Sequence, residues 1–457
     1  MRVVIVGCGY VGVTTGACLA LIGHRVTCHD IDGRKVELLN SGSLPFYEPY
    51  LEELVRAQQS AGRLGFTKDI DVVSDADAIF LAVGTPSVAG NGAVDMRYVR
   101  EAALALGKHL GKRGFQVVVN KSTVPVGSNG LVEKLVAAGV DGSHGRAEIV
   151  MVSNPEFLRE GSAVTDVLYP DRIIVGTSDE RATVLLRDLY RPIAEQSFKP
   201  PPYVPPRPAG LKGVPFMVVD PVSAELIKYA ANAFLAMKIS FINEIANICE
   251  RVGADVRKVA EGIGMDSRIG RAFLNAGVGW GGSCFGKDLR GLIADAQEYG
   301  YEPVLLNAVL EVNYRQRQLP VQKLCEVLKV LRGRTVAVLG LAFKPGTDDL
   351  RDAPSLDVVR RLLEMGSLVR VYDPAAMPAL KEAAPDLQVT FAPDPYRAAD
   401  DADALLLVTE WEEFRHLDWP RMRRLMRHPL VVDGRNFLDK KELEALGFVY
   451  RGIGMPC

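Results

Sequence analysis

The chain has 457 residues, of which 48% are hydrophobic and 24% charged, with 54 basic side chains against 56 acidic ones. That length predicts about two or three domains with sizeable cores, and the near balance of charge excludes a basic nucleic-acid surface. The seven cysteines, Cys8, Cys18, Cys28, Cys249, Cys284, Cys325 and Cys457, form no CxxC pair and no His/Cys cluster. This pattern points to reduced, cytoplasmic usage, with neither a disulfide framework nor a metal site.

Residues 2–32, RVVIVGCGYVGVTTGACLALIGHRVTCHDID, read as strand, tight turn, helix, strand. Val3 to Val6 form the unbroken apolar run of a strand buried on both faces. Gly7, Gly9 and Gly12 match G-x-G-x-x-G, in which the first glycine permits the turn. The second lets the backbone approach a pyrophosphate, and the third lets helix and strand pack closely. Asp30 follows Gly12 by 18 residues, where an acid accepts both ribose hydroxyls and repels a 2′-phosphate, favouring NAD over NADP. The span from Val3 to Gly23 carries no charge and has the length of a membrane segment, but Gly7, Gly9, Gly12, Gly16 and Gly23 break its apolar density. No membrane role is assigned to it.

Further strand-then-loop units occur in DAIFLAVGTPS, FQVVVNKSTVPVG and EIVMVSNPEFLREG. Ligands of open α/β sheets bind beyond the carboxyl ends of the strands, where Thr85, Ser122, Thr123, Glu156 and Glu160 fall. Taken alone, the two glutamates read equally as capping or solvated residues. From Pro200 to Pro215 lie seven of the 27 prolines, a density incompatible with a regular helix or central strand, so a surface excursion or semi-rigid loop is expected.

A long helical pattern then runs from a cap at Ser223 to a stop at Gly253. Leu226, Ala230, Phe234, Met237, Phe241, Ile245 and Ile248 give it an apolar stripe. A helix of about thirty residues spans roughly 45 Å, enough for a spine between domains and for a dimer surface. Lys228 and Asn232, four residues apart, project from one face and suit donation to an oxyanion. In VGWGGSCFGKD, Cys284 follows a glycine-dense turn and precedes Lys287 and Asp288. An isolated cysteine is usually a small buried hydrophobe, so its context must decide whether it is a nucleophile. Residues 333–374 repeat strand, glycine loop, helix and strand, ending at Asp373, without G-x-G-x-x-G. A second Rossmann-like sheet is expected, with Lys344, Arg351 and Arg435 in loops suited to phosphate or carboxylate.

Eight segments in order, GCGYVG, GTP, KSTVPVG, NPEFLREG, ELIKYAANAFLAMKISFINE, SRIG, GWGGSCFGKD and LAFKPGTDDLRDAPS, resemble the UDP-glucose/GDP-mannose dehydrogenase family, and within it the UDP-glucose 6-dehydrogenases. The resemblance covers nearly the whole chain. It implies an α/β fold of two Rossmann-like, doubly wound domains joined by a long central helix. The implied divisions are an NAD-binding domain over 1–198, a proline-rich insertion over 199–216, a helical dimerisation region with the cysteine loop over 217–320, and a UDP-sugar domain over 321–457. The implied reaction is four-electron oxidation of UDP-glucose to UDP-glucuronate with two NAD, through a cysteine thiohemiacetal and thioester. Cys284 is then the nucleophile, with Lys287 beside it favouring the thiolate. Lys228 and Asn232 stabilise oxyanion character, Glu156 and Thr123 position water, and Asp288 takes part in proton transfer; the base of the first oxidation stays open.

By the same resemblance, Gly7, Gly9, Tyr10, Val11, Gly12, Asp30, Lys35, Thr85, Ser122, Thr123, Glu160, Lys287 and Arg351 lie around NAD. Glu156, Phe157, Leu158, Glu160, Lys228, Asn232, Phe273, Asn275, Gly281, Lys344 and Arg435 surround the UDP-sugar, and Arg268 reaches the neighbouring subunit's active site in a homodimer or larger homo-oligomer. The chain departs from the family pattern in its CFGKD loop, where proline is common before the lysine, and in the longer proline-rich stretch. Rival readings are the same chemistry on GDP-mannose or a UDP-N-acetyl-hexosamine, a two-electron hydroxy-acid dehydrogenase with an inert Cys284, and a non-catalytic nucleotide-sugar sensor.

Overall fold

The computed structural model describes residues 1–456 except 89–91, 111–113 and 141–147, so Cys457 lies outside the described residues. The chain divides into two compact units, Met1–Ala231 with Arg290–Tyr299, and Asn232–Leu289 with Gly300–Cys457. The first is built on β1 (Arg2–Val6), β2 (Arg25–His29), β3 (Leu64–Thr67), β4 (Ala78–Leu81), β5 (Phe115–Asn120), β6 (Glu148–Ser153), β7 (Ile173–Gly176) and β8 (Phe216–Val219). Its sheet runs in the order β3-β2-β1-β4-β5-β6-β7-β8, parallel throughout except for the antiparallel β6–β7 pair. The second unit holds β9 (Thr335–Leu339), β10 (Leu368–Tyr372), β11 (Val389–Phe391), β12 (Ala404–Leu407), β13 (Leu430–Asp433) and β14 (Val449–Gly452). These form an all-parallel sheet, β11-β10-β9-β12-β13-β14.

The unbroken apolar runs have a direct cause. Side chains alternate across a strand, so Val3 and Ile5 of β1 enter one core while Val4 and Val6 enter the core on the opposite face. β9 does the same, sending Val336 and Val338 one way and Ala337 and Leu339 the other. The turns after these two strands are also tied alike. The Cys8 N–H donates to Asp30 at 2.8 Å beyond β2, and the Leu341 N–H donates to Asp373 at 2.6 Å beyond β10. The second sheet thus reproduces the turn-to-aspartate bond of the first without its three-glycine fingerprint.

Val3 to Gly23 fold as β1 and a helix over Tyr10–Leu21, and among the described residues no helix is long and apolar enough to cross a membrane. The proline-rich stretch has neither helix nor strand before β8, but it is not a free excursion. Val204 and Val214 are buried in the first unit's core, and Tyr169 donates its hydroxyl to the Pro205 carbonyl at 2.9 Å. The central helix spans Pro221–Val252, beginning two residues before the expected Ser223. Asp220 accepts the Ser223 N–H at 2.9 Å and Pro221 occupies the first turn, where its missing N–H costs nothing. Gly253 follows at φ +77°, in the left-handed region a helix stop requires.

Candidate active site

In the first unit, β1 ends at Gly7 (φ +107°), whose N–H reaches the His29 carbonyl at 2.8 Å. A Cβ on Gly12 would lie 1.9 Å from the Gly7 carbonyl oxygen, so the helix packs on the turn only because no side chain intervenes. Gly9 differs: a Cβ there would meet nothing within 4 Å, and as N-cap it supplies no side-chain bond to the helix. Uncapped helix N–H groups facing open space make a cradle that fits a pyrophosphate. Asp30 accepts from the N–H groups of Cys8 (2.8 Å) and Asp32 (3.0 Å) and pairs with Lys35 at 3.0 Å. Burial pushes its carboxyl up, but these donors outweigh it and hold Asp30 below the usual range, so it stays ionised. Tyr10 donates its hydroxyl to buried Glu48, which also accepts the Gly161 (2.6 Å) and Ala163 (2.7 Å) N–H groups. The glycine turn is thereby tied to the loop carrying Glu156 and Glu160, and Val11 continues the helix from it.

The loops after β4 and β5 join through Ser122, which donates to the Val83 carbonyl at 2.8 Å; Thr85 and Thr123 are half-buried there. After β6, buried Glu156 accepts from Lys228 Nζ at 3.0 Å and from the Leu158 N–H at 2.6 Å. Burial would raise Glu156, but the Lys228 charge and these bonds hold it below the usual carboxylate range. Phe157 lies under the Arg172 guanidinium at 3.8 Å and the Lys228 ammonium at 5.6 Å from its ring centre. A cavity of about 10 Å³ is bounded by Ser122, Thr123, Glu225 and Lys228.

Two charged groups here escaped the sequence reading. Lys121 is buried, donates to Asn154 Oδ1 at 3.2 Å, and is lowered to about 8 by burial, with Glu156 pulling up and Lys228 down. Glu225 is pushed up to about 7 by burial, against bonds from the Gly127 and Asn129 N–H groups and Ser153, with nearby Asp295 adding to the rise. Their only sequence signal was position: Lys121 precedes Ser122, and Glu225 lies three residues before Lys228.

In the second unit, Cys284 is half-buried immediately before the helix Phe285–Glu298, with Sγ 3.5 Å from Ser283 Oγ. Asp288, on the first turn, is buried and donates its N–H to the Cys284 carbonyl at 2.8 Å. Its carboxylate accepts from Asn232 Nδ2 at 2.6 Å and Lys287 Nζ at 2.5 Å. Lys287 is therefore engaged with Asp288, not turned solely towards the thiol. The cysteine loop is held by the helix Val304–Leu328: Asn313 Oδ1 accepts the Trp280 N–H at 2.9 Å, and Arg317 donates to the Trp280 carbonyl at 2.6 Å. Arg317 also pairs with Asp352 (2.8 Å) and Asp357 (2.7 Å). A Cβ on Gly281 would lie 2.2 Å from the Asp352 carbonyl oxygen, which explains that glycine as packing.

Arg435 links the glycine turn before Cys284 to the loop bearing Lys344, also reaching the Phe343 carbonyl at 3.3 Å, whereas Arg268, Asn275 and Arg351 stay exposed. Arg435 donates to the carbonyls of Val408 (2.7 Å) and Gly279 (3.0 Å) and pairs with Glu410 at 3.1 Å. Lys344 lies 5.4 Å from the Phe343 ring centre, and Phe273, at φ +64°, packs 6.4 Å from Phe285. Arg351 pairs with Asp349 and Arg268 with Asp266, each at 2.7 and 2.6 Å respectively and exposed, as is Asn275.

A dinucleotide cradle with an ionised Asp30, a second Rossmann-like sheet and a partly exposed thiol beside a buried aspartate define an NAD-dependent dehydrogenase. The chain belongs to the UDP-glucose/GDP-mannose dehydrogenase family: residues 1–194 match its NAD binding domain, 222–315 its central domain and 337–440 its UDP binding domain. It is 44% identical over 457 residues to a UDP-glucose 6-dehydrogenase of Bacillus subtilis, covering 100% of this chain and 94% of that one. A UDP-glucose 6-dehydrogenase of Pseudomonas aeruginosa is 44% identical over 462 residues, covering 100% and 98%. The solved UDP-glucose dehydrogenase of Pyrobaculum islandicum superposes with a TM-score of 0.86 at 40% identity, covering 99% of this chain and 98% of that one.

Proposed function

We propose that this protein oxidises UDP-glucose to UDP-glucuronate in two successive two-electron steps. The observation that carries the reading is the partly exposed Cys284 one turn before a buried Asp288 that Asn232 and Lys287 hold in place. NAD, when bound, would supply the hydride acceptor for oxidation of the C6 alcohol and, as a second molecule, for oxidation of the cysteine adduct. Gly7, Gly9, Gly12 and Asp30, with Ser122 and Thr123, are the residues that hold it.

Asp288 takes part in removing the C6 hydroxyl proton as the first hydride leaves. Cys284 then adds through sulfur to the aldehyde carbon, and the resulting thiohemiacetal cannot diffuse away. Loss of the second hydride and a proton gives a thioester. Water, positioned by Glu156 and Thr123, adds to its carbonyl; the C–S bond breaks, releasing carboxylate and returning the thiol. Lys228 and Asn232 are four residues apart on one helix, about 6 Å along its axis, and donate to the oxyanions of both additions. Glu156, held ionised, acts first as the counter-charge of Lys228.

Two copies pair through the central helix, and Arg268 of each completes the other's sugar-nucleotide site. The support is that Leu226, Phe234, Phe241 and Ile248 on this helix are 43–58% exposed in the single chain. The cytoplasm is the expected compartment.

NADH formed per sugar, with limiting UDP-glucose and excess NAD, tests the reading. Two NADH per sugar are expected, and Cys284→Ala should lose the second. One NADH per sugar, unchanged by Cys284→Ala, would sink it.

A further inference from the structure

Outside the expected set, the first unit contains a buried carboxylate that touches backbone where the cofactor loop meets the next helix. Glu225 Oε2 accepts the Gly127 N–H at 2.6 Å and Oε1 accepts the Asn129 N–H at 2.9 Å. Ser153 Oγ, at the end of β6, lies 3.4 Å from Oε1. Asp295 accepts the neighbouring Val126 N–H at 3.0 Å. Two acids therefore hold three N–H groups within four residues, at the point where the loop bearing Ser122 and Thr123 turns into the helix Ser128–Gly139. That helix has Gly127 as its N-cap, at φ +88° and without a side-chain cap, so Glu225 supplies from a distant element the acceptors a capping residue would supply locally. Carboxylates are favoured at such a terminus by the aligned peptide dipoles.

Glu225 lies three residues before Lys228 on the central helix, hence on the same face about one turn away. Thr123, Glu225 and Lys228 border one cavity of about 10 Å³, near the size of a single water. Asn120 Oδ1, buried on the same wall, has no protein partner, which suits a water there. Building on the function proposed above, we infer that Glu225 is a positioning residue, fixing the Ser122–Thr123 loop in register with Lys228.

Glu225→Gln tests this. The amide keeps the shape but must turn an NH₂ towards Gly127 or Asn129, so one loop bond is lost. Expected is a fall in kcat of at least fivefold, with KM for UDP-glucose moving less than threefold and the NADH dissociation constant, read by fluorescence, rising at least threefold. A smaller fall in kcat, or an unchanged NADH dissociation constant, overturns the inference. Should Glu225→Gln fail to fold, Asp295→Ala loosens only Val126 and should raise the NADH dissociation constant in the same direction; no rise overturns the inference. Lys228→Met, assayed alongside, separates the two levels. Full kcat in Lys228→Met overturns the proposed function, whereas loss there with none in Glu225→Gln overturns only the role of Glu225.

Discussion

Lys121 follows β5 directly with 7% of its surface exposed, and its ammonium donates to Asn154 Oδ1 at 3.2 Å and to the Asn154 carbonyl at 3.5 Å. Burial lowers it to about 8, so between pH 8 and roughly 10.4 the unfolded chain holds a proton that the folded chain has released. Stability then rises with pH across that window, by at most about 1.4 kcal/mol per pH unit from this group. Lys121→Met removes the titration. The melting-temperature advantage of the methionine variant, or its deficit, should move against it by a few degrees between pH 7.5 and 10; a constant gap would show that Lys121 does not titrate there. Such residues were illegible in sequence for a definite reason. A lysine or glutamate is ordinarily solvated, and the partners that make burial tolerable for Lys121 and Glu225 come from Asn154 and from backbone N–H groups of remote segments. Cys284, Lys228, Asn232 and Asp288 could be singled out as candidates because each sits within a distinctive local motif.

Strand, turn and first helix were legible because their signals are local: an apolar run, three glycines and an acid at fixed spacing. The same element separates two roles glycine plays. Gly12→Ala would place Cβ 1.9 Å from the Gly7 carbonyl oxygen, a backbone atom with little room to move. It should destabilise the fold by about 1–3 kcal/mol, the usual range for overpacking. Gly9→Ala meets nothing within 4 Å, and its backbone at φ −79° suits alanine. Its melting temperature should match the wild type while its NAD dissociation constant rises at least tenfold. Thermal melts with NAD titrations decide this, and equal behaviour of the two variants would remove the pyrophosphate role of Gly9. Elsewhere the element boundaries depended on tertiary context. Asp220 rather than Ser223 caps the central helix, since both are good caps and Pro221 favours the earlier start. The prolines of 200–215 hid the burial of Val204 and Val214, because a segment without periodicity gives no sign of which face it presents.

At the scale of the whole molecule, the stripe predicted on the central helix has a distinctive fate. Ala230 is exposed along with Leu226, Phe234, Phe241 and Ile248, whereas Ala233, Ala236, Ile242, Ala246 and Cys249 turn inward. Phe234, Phe241 and Ile248 follow at intervals of seven, which leaves them close to one edge of the helix, drifting only about 20° per repeat. Covering such residues stabilises by roughly 1.5–3 kcal/mol for each one fully buried, which makes a second copy of this chain a consistent occupant. Phe234→Asp with Phe241→Asp places two carboxylates on that edge. Sedimentation should give the wild type twice the 49.7 kDa chain mass, or a multiple of it, and the double variant a single chain. If Arg268 serves the neighbouring site, the separated chains should also lose most of their kcat while keeping their NAD affinity, because the glycine turn and Asp30 lie within one unit. A wild type that sediments as one chain at full activity would refute both the pairing and the shared site.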